Sequence, residues 1–158
     1  MSTISFTMNP VVAARHYVGS APPSYDLHGR IMSAVCLRSS PPPEAPLRFP
    51  VLWVPLRDVP DPEVVPGWVE VAVLLQGALQ LPRPTLWHCA AGLNRSAYAL
   101  GVYLVCHRGV HPEDAVAMLR RARGPSALSN TVMVEQLLRA RPGLTTVTRA
   151  RSPRAGGG

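Results

Sequence analysis

The sequence of 158 residues contains no lysine, only three cysteines and few acidic side chains. Its sixteen basic residues are all arginines and outnumber nine acidic residues, so the formal net charge is +7. Three cysteines are too few, and odd in number, for the disulfide framework of a secreted protein, so we expect a reducing, cytoplasmic setting. The N-terminus lacks a basic region followed by a continuous apolar stretch, so no secretory signal peptide is expected.

Long apolar runs are also missing. Residues 69–81 form the longest one, and Glu70 and Gln76 interrupt it, whereas a membrane-spanning helix needs about 20 apolar residues. The chain length suits one domain with a sizeable core, which we place at residues 1–143. Residues 144–158 are rich in Arg, Thr, Ala and Gly without an apolar period, and we expect a disordered basic tail there.

Short apolar runs alternate with helix-like segments along the chain. The predicted strands cover residues 16–20, 31–37, 49–56 and 84–87, and the predicted helices cover 66–80, 96–107, 112–123 and 130–139. Residues 96–107 are apolar all round, which predicts a central, buried helix. Residues 49–56 are dense enough in apolar side chains to be buried on both faces, as in a parallel sheet. This order predicts an α/β fold with a central, mostly parallel sheet of four to five strands flanked by helices.

The most informative stretch is residues 87–96, Trp-His-Cys-Ala-Ala-Gly-Leu-Asn-Arg-Ser, between a predicted strand and a predicted helix. Backbone N–H groups in such a loop can curl around one anion at the positive end of the helix. Gly92 permits the positive φ that this loop needs. Arg95 offers a planar fork for two phosphate oxygens, and the same positive field favours the thiolate of Cys89. The pattern therefore indicates a phosphate site with a cysteine nucleophile.

This stretch resembles the signature of the cysteine-dependent protein tyrosine phosphatases, and the short chain is similar to their dual-specificity subgroup. The resemblance covers roughly residues 15–140 and includes the Tyr17-x-Gly19 opening and the Asn130 and Gln136-Leu137 ending. A Cys-x5-Arg spacing alone occurs by chance, and the alternative is a buried cysteine at the start of a core helix. The flanking His88 and Ser96 and the central glycine make the match specific.

The resemblance implies hydrolysis of phosphate monoesters on phosphotyrosine and phosphoserine or phosphothreonine proteins, through a cysteinyl-phosphate intermediate and without a metal or cofactor. Cys89 would attack phosphorus, while Arg95 and the backbone N–H groups of the loop hold the phosphate. The loop residues in this role are Ala90, Ala91, Gly92, Leu93, Asn94 and Arg95. Ser96 would donate a hydrogen bond to the sulfur, or simply begin the helix. His88 is expected to orient the loop rather than carry a proton.

The reaction also needs an acid that protonates the leaving oxygen. Asp58 follows the predicted strand 49–56, at a position similar to that of the general acid in the dual-specificity family, and we choose it. Asp61 is the competitor. It is also suited to cap a helix that begins at Pro62.

Several alternatives remain open. Neutral Ala90, Ala91 and Leu93 make multiply phosphorylated inositides a less expected substrate. Asn94-Arg95 resembles the pair in the RNA 5′-triphosphatases of capping enzymes, although those usually have His at the position of Ala91 and Thr at that of Ser96. RNA could therefore be the substrate. A non-catalytic phosphopeptide-binding module and a nucleic-acid-binding protein are further readings, the latter because the net charge attracts polyanions.

Two cysteines lie outside the loop. Cys36 falls in an apolar strand pattern and Cys106 on the apolar helix, so we expect both to be inert core residues. A redox role, in which one of them captures oxidised Cys89 as a disulfide, is the alternative. The sequence does not determine the oligomeric state, and a monomer is the default expectation.

Overall fold

A computed structural model describes residues 6–12, 15–27 and 29–143. The predicted basic tail, residues 144–158, lies outside the described residues. The strands are β1 (Met8–Val11), β2 (His16–Gly19), β3 (Ser33–Cys36), β4 (Val51–Trp53) and β5 (Thr85–His88). The helices are α1 (Trp68–Leu74), α2 (Arg95–Arg108), α3 (Pro112–Arg123) and α4 (Thr131–Arg139), with a 3-10 turn at Gln76–Gln80.

The five strands form one sheet in the order β1-β2-β5-β3-β4. Only β1 runs antiparallel to its neighbour, so the predicted mostly parallel α/β fold is confirmed. Strand β5 lies in the centre, with His88 level with Gly19 of β2 and with Cys36 of β3. The carboxyl ends of these three strands therefore meet at one edge of the sheet, where ligands of open α/β sheets bind.

Helix α2 is the centre of the core, as its sequence predicts. Every residue of this helix from Ser96 to Cys106 is buried, because β5 and the helices α1, α3 and α4 surround it. The larger core cluster lies on this face of the sheet and includes Val35, Trp87, Leu100, Tyr103, Leu119 and Leu137. A smaller cluster covers the other face, where Tyr25, Ile31 and Phe49 pack on Ala34 and Leu86.

Two sequence-based expectations need correction. The predicted helix 66–80 begins at Trp68, because Gly67 is extended and caps it, and it tightens into a 3-10 turn before Pro82. The predicted strand 49–56 shortens to β4, since Pro50 and Pro55 cannot donate ladder hydrogen bonds. Strand β4 lies at the sheet edge and Trp53 is 43% exposed, so burial on both faces was wrong.

The N-terminal segment contributes an edge strand, β1, ahead of the first strand that the sequence predicts. Pro10 is tolerated within β1 because an edge strand leaves one side of its backbone unpaired. Within the described ranges, no helix combines the length and the apolarity that a membrane crossing requires.

The position of α2 predicts how two leucines respond to truncation. Leu100 is fully buried in α2, whereas Leu74 at the end of α1 is 46% exposed. We expect Leu100→Ala to lower the free energy of unfolding by about 2–5 kcal/mol, because it leaves a cavity in the core. Leu74→Ala should cost less than about 1 kcal/mol. Chemical denaturation measures both, and equal losses would contradict the central position of α2.

Candidate active site

The segment from Cys89 to Asn94, called here the anion loop, connects β5 to α2 at the carboxyl edge of the sheet. Its ends are fixed, because β5 is paired on both sides and α2 is buried along most of its length. Gly92 has a φ of +72° and lies so close to the end of β2 that a Cβ there would collide with the carbonyl carbon of Gly19. Only glycine fits this position without displacing backbone.

The carbonyl oxygens of residues 90–93 each accept a hydrogen bond from outside the loop. The donors are Ala21 N to Ala90 (3.2 Å), Arg123 Nη2 to Ala91 (2.8 Å), Arg123 Nε to Gly92 (3.0 Å) and Leu128 N to Leu93 (2.8 Å). A trans peptide directs its N–H away from its carbonyl. The N–H groups of residues 91–94 therefore face the interior of the loop, which makes the loop a concave set of donors suited to an oxyanion.

The sulfur of Cys89 lies in this concave surface. Cys89 is 2% exposed, and its Sγ accepts the N–H of Gly92 at 3.2 Å and lies 3.4 Å from Ser96 Oγ. The positive end of α2 begins next to it at Arg95. The Gly92 N–H and the start of α2 thus lie directly at the sulfur.

Arg95 is half-buried beside the loop. Its Nη1 donates to the carbonyl of Leu56 at 3.3 Å, which fixes the guanidinium. Its Nε is buried and has no hydrogen-bond partner among the described residues. A buried N–H without a partner is costly, and it is available to donate to an oxyanion in the loop.

His88 is fixed by Tyr25, a residue that the sequence analysis did not identify. The Tyr25 hydroxyl and His88 Nε2 form a buried hydrogen bond. Burial lowers the pKa of His88 to about 4, and burial raises the pKa of Tyr25 above its usual value. Both groups are therefore neutral near pH 7, so this hydrogen bond joins a neutral phenol to a neutral imidazole. Because Tyr25 and His88 are 63 residues apart, no local pattern indicates their contact.

The structure brings Asp58 to the anion loop. One carboxylate oxygen of Asp58 accepts from Asn94 Nδ2 at 3.1 Å, and the other accepts from Asn130 Nδ2 at 3.0 Å. Asp61 instead closes its own turn, in which its carboxylate accepts the N–H of Glu63 at 2.9 Å. The alternative reading of Asp61 as a helix cap was wrong, since a turn follows it and the next helix is α1.

Arg123 is a second residue that the sequence analysis missed. At the end of α3 it resembles an ordinary basic residue near a helix C-terminus. Besides the two loop carbonyls, its Nη1 donates to Thr7 Oγ1 at 3.0 Å and to Asn9 Oδ1 at 2.8 Å. Arg123 thus connects the N-terminal edge strand to the outer side of the anion loop.

The other two cysteines belong to the core. Cys36 is level with His88, so their side chains share one face of the sheet. Cys89 directly follows His88 at the end of β5, so its side chain alternates to the other face. Burial raises the pKa of Cys36, and it raises that of Cys106 to about 11. This geometry supports the core assignment over a disulfide with Cys89. In the ranges that the structure describes, no group of three or more His, Cys, Asp or Glu side chains could hold a metal ion.

Comparison with known proteins agrees with this geometry. The fold and the cysteine-containing anion loop define the class of cysteine-based protein phosphatases. A family model described as the catalytic domain of dual specificity phosphatases matches residues 42–142, more than half of the chain. The chain belongs to the dual specificity phosphatase family.

Individual relatives match only parts of this chain, whereas solved structures match more of it at lower sequence identity. The human RNA/RNP complex-1-interacting phosphatase is 46% identical over 37 residues, 23% of this chain and 11% of that protein. The "Putative tyrosine-protein phosphatase 1" of Orgyia pseudotsugata multicapsid polyhedrosis virus is 36% identical over 81 residues, 49% of this chain and 35% of that protein. The matches thus span well under two thirds of these curated relatives. A crystal structure of a mouse "putative dual specificity phosphatase" complexed with zinc tungstate has a TM-score of 0.67 and 26% identity, covering 87% of this chain and 88% of that one.

The close approach at Gly92 predicts a contrast between two glycines with the same backbone conformation. Gly92 has a φ of +72° and meets backbone, whereas Gly109 has a φ of +73° and nothing within 4 Å of an added Cβ. Gly109→Ala should add only backbone strain of about 1–2 kcal/mol. It should leave the affinity of the anion loop for vanadate, a phosphate mimic, unchanged. Gly92→Ala should add the same strain and also displace the loop, so vanadate binding should be lost. Titration calorimetry measures the affinities, and equal affinities would contradict this packing.

Proposed function

We propose that this chain hydrolyses phosphate monoesters of phosphotyrosine and phosphoserine or phosphothreonine proteins through a phosphorylated Cys89. The observation that carries this proposal is the outward anchoring of the loop carbonyls. It directs the N–H groups of residues 91–94 toward the region of the Cys89 sulfur. Membership of the dual specificity phosphatase family supports phosphoproteins as the substrate class.

In the first step, the Cys89 thiolate attacks phosphorus in line with the leaving oxygen. The phosphorus–sulfur bond forms as the phosphorus–oxygen bond breaks, and Asp58 gives its proton to the departing oxygen. The loop N–H groups and Arg95 hold the equatorial oxygens and stabilise the charge that develops on them. Neutral His88 keeps the end of β5 in place through Tyr25.

In the second step, water attacks phosphorus and the bond to sulfur breaks. Asp58, now ionised, accepts a proton from that water, which returns the acid to its starting state. Ser96 donates its hydroxyl hydrogen bond to the departing sulfur, from which it lies 3.4 Å away. Both steps use only side chains and backbone groups of this chain.

The surroundings of the site support a catalytic domain over a binding module. Cys89, Arg95 and Asp58 are all present at the loop, so nucleophile, phosphate clamp and acid are complete. We place this domain at residues 1–143 and expect it to act as a monomer in a reducing cytoplasm. All three cysteines of the chain lie in its described part and are free and buried, which supports that setting.

A second candidate function is hydrolysis of RNA 5′-phosphates. The Asn94-Arg95 pair and the similarity to the human RNA/RNP complex-1-interacting phosphatase favour it. A panel of a phosphotyrosine peptide, a phosphothreonine peptide and a 5′-triphosphorylated RNA separates the two functions. Our proposal expects kcat/KM to be highest for one of the peptides. A tenfold or greater advantage for the RNA would replace it with the second candidate.

The role of Cys89 as nucleophile predicts that its substitution abolishes turnover but not anion binding. Cys89→Ser should abolish turnover of an aryl phosphate, because a serine hydroxyl is a far weaker nucleophile than a thiolate. Vanadate affinity should persist, since the loop N–H groups and Arg95 remain. Steady-state kinetics and calorimetry measure the two properties. Substantial residual turnover would remove Cys89 from its role.

The role of Asp58 as general acid predicts that its substitution lowers the hydrolysis rate by an amount that depends on the leaving group. Asp58→Asn should slow phosphopeptide hydrolysis by about 10²–10⁴-fold, the usual size of a general-acid contribution. An aryl phosphate with an activated leaving group should lose less, because its oxygen needs less protonation.

Asp61→Asn is the matched control, because it makes the same chemical change on the same loop. Its side chain can still accept from Glu63 N, so the rates on both substrates should remain those of the wild type. The reverse outcome, with the dependence on the leaving group seen only in Asp61→Asn, would assign the acid to Asp61.

A further inference from the structure

Both polar atoms of the Asn94 side-chain amide form hydrogen bonds with residues outside the anion loop. Its Oδ1 accepts the backbone N–H of Asn130 at 3.0 Å, and its Nδ2 donates to Asp58 at 3.1 Å. A backbone N–H can only donate, so the amide oxygen must face Asn130. The amide NH2 group must therefore face the carboxylate of Asp58. From the sequence, Asn94 was expected in the phosphate-binding loop and in the Asn94-Arg95 pair that resembles the RNA 5′-triphosphatases, and no contact with Asp58 was expected.

Asp58 needs such a contact because little else fixes it. Asp58 is exposed, and the residues around it, Arg57 to Pro60, have no regular secondary structure. The carboxylate is held by two amides, one from the anion loop at Asn94 and one from the cap of α4 at Asn130. Asn130 also donates to the carbonyl of Val59 and caps α4, so it is fixed by several other contacts. Asn94 is the contact that connects the acid to the loop itself.

We propose that Asn94 is a positioning residue that aligns the Asp58 carboxyl group with the phosphate. This inference rests on the proposed function. The same loop that holds the phosphate with its N–H groups would also hold the acid, so the two reacting groups keep a fixed relation to each other. General acids act only within hydrogen-bond reach of the atom they protonate, and a misplacement of about 1 Å can cost about 10²-fold in rate.

An amide is suited to this role in both steps. The Asn94 NH2 group donates and cannot accept, so it leaves the acid proton of Asp58 for the leaving oxygen. Each carboxyl oxygen retains lone pairs whether or not the group is protonated. The contact to Asn94 therefore persists when Asp58 acts as an acid and again when it acts as a base.

The test compares two substrates in Asn94→Ala. Phosphopeptide kcat should fall by about tenfold or more, and kcat for an activated aryl phosphate should fall by less than about threefold. Vanadate affinity should stay within about twofold of wild type, which also shows that the loop is folded. Ser129→Ala is the matched control, because Ser129 contacts Asn94 at 3.3 Å without a contact to Asp58. Both rates of this control should stay within about twofold of wild type.

A double-mutant cycle identifies the route of the effect. If Asn94 acts through Asp58, Asn94→Ala adds no further loss in the Asp58→Asn background. Equal losses for both substrates, or additive losses in the double variant, overturn the inference. If Asn94→Ala does not fold, Asn94→Ser takes its place, because its shorter, uncharged side chain withdraws the amide donor from Asp58. The same substrate contrast is then expected.

The failure of this inference is distinguishable from that of the proposed function. If Asp58→Asn itself shows no dependence on the leaving group, the assignment of the acid is wrong. If Asp58→Asn behaves as expected and Asn94→Ala equals wild type on both substrates, only the role of Asn94 is overturned.

Discussion

A loop that presents its backbone N–H groups to an anion turns its carbonyl oxygens the other way, and donors on those carbonyls hold the loop in this conformation. In this chain those donors come from three places, namely Ala21 after β2, Arg123 at the end of α3 and Leu128 before α4. Each lies far from the loop in sequence. The anion loop therefore depends on elements at both ends of the domain.

This dependence explains the layout of the fold around the loop. The central position of β5 between two parallel strands places Cys89 beside the ends of β2 and β3. The tight contact between Gly92 and Gly19 then locks the loop onto β2. Arg123 adds the edge strand β1 through Thr7 and Asn9. The N-terminal segment, which precedes the region matched by the family model, is thus part of the support of the site.

The sequence could predict what is local. The strand, the glycine-containing loop and the apolar helix of residues 84–107 form a continuous pattern, and its spacing carries the chemistry. The start of the predicted helix 130–139 is equally local, and the structure shows the Asn130 side chain capping α4 there. The position of β4 could not be predicted, because an apolar run does not reveal whether a strand lies at the centre or the edge of a sheet. Tyr25 and Arg123 were missed because their partners are distant in sequence.

The choice between Asp58 and Asp61 shows the same limit. Both aspartates lie on one loop, and the sequence distinguishes them only by the position of Asp58 after the predicted strand and by the helix-cap pattern at Asp61. What separates them is a contact across 36 residues, from Asn94 to Asp58. The corresponding side-chain contact of Asp61 lies within its own turn. Side-chain geometry therefore adds the distinction that periodicity and composition lack.

The most direct test of this account is to trap the phosphorylated enzyme. Wild type and Ser96→Ala are mixed with a phosphopeptide, quenched within milliseconds and digested, and mass spectrometry locates the phosphate. The account predicts phosphate on Cys89, with a larger trapped fraction in Ser96→Ala, because loss of the hydrogen bond to sulfur slows breakdown of the intermediate. Turnover with no covalent phosphate in either protein, or phosphate on another residue, would contradict it.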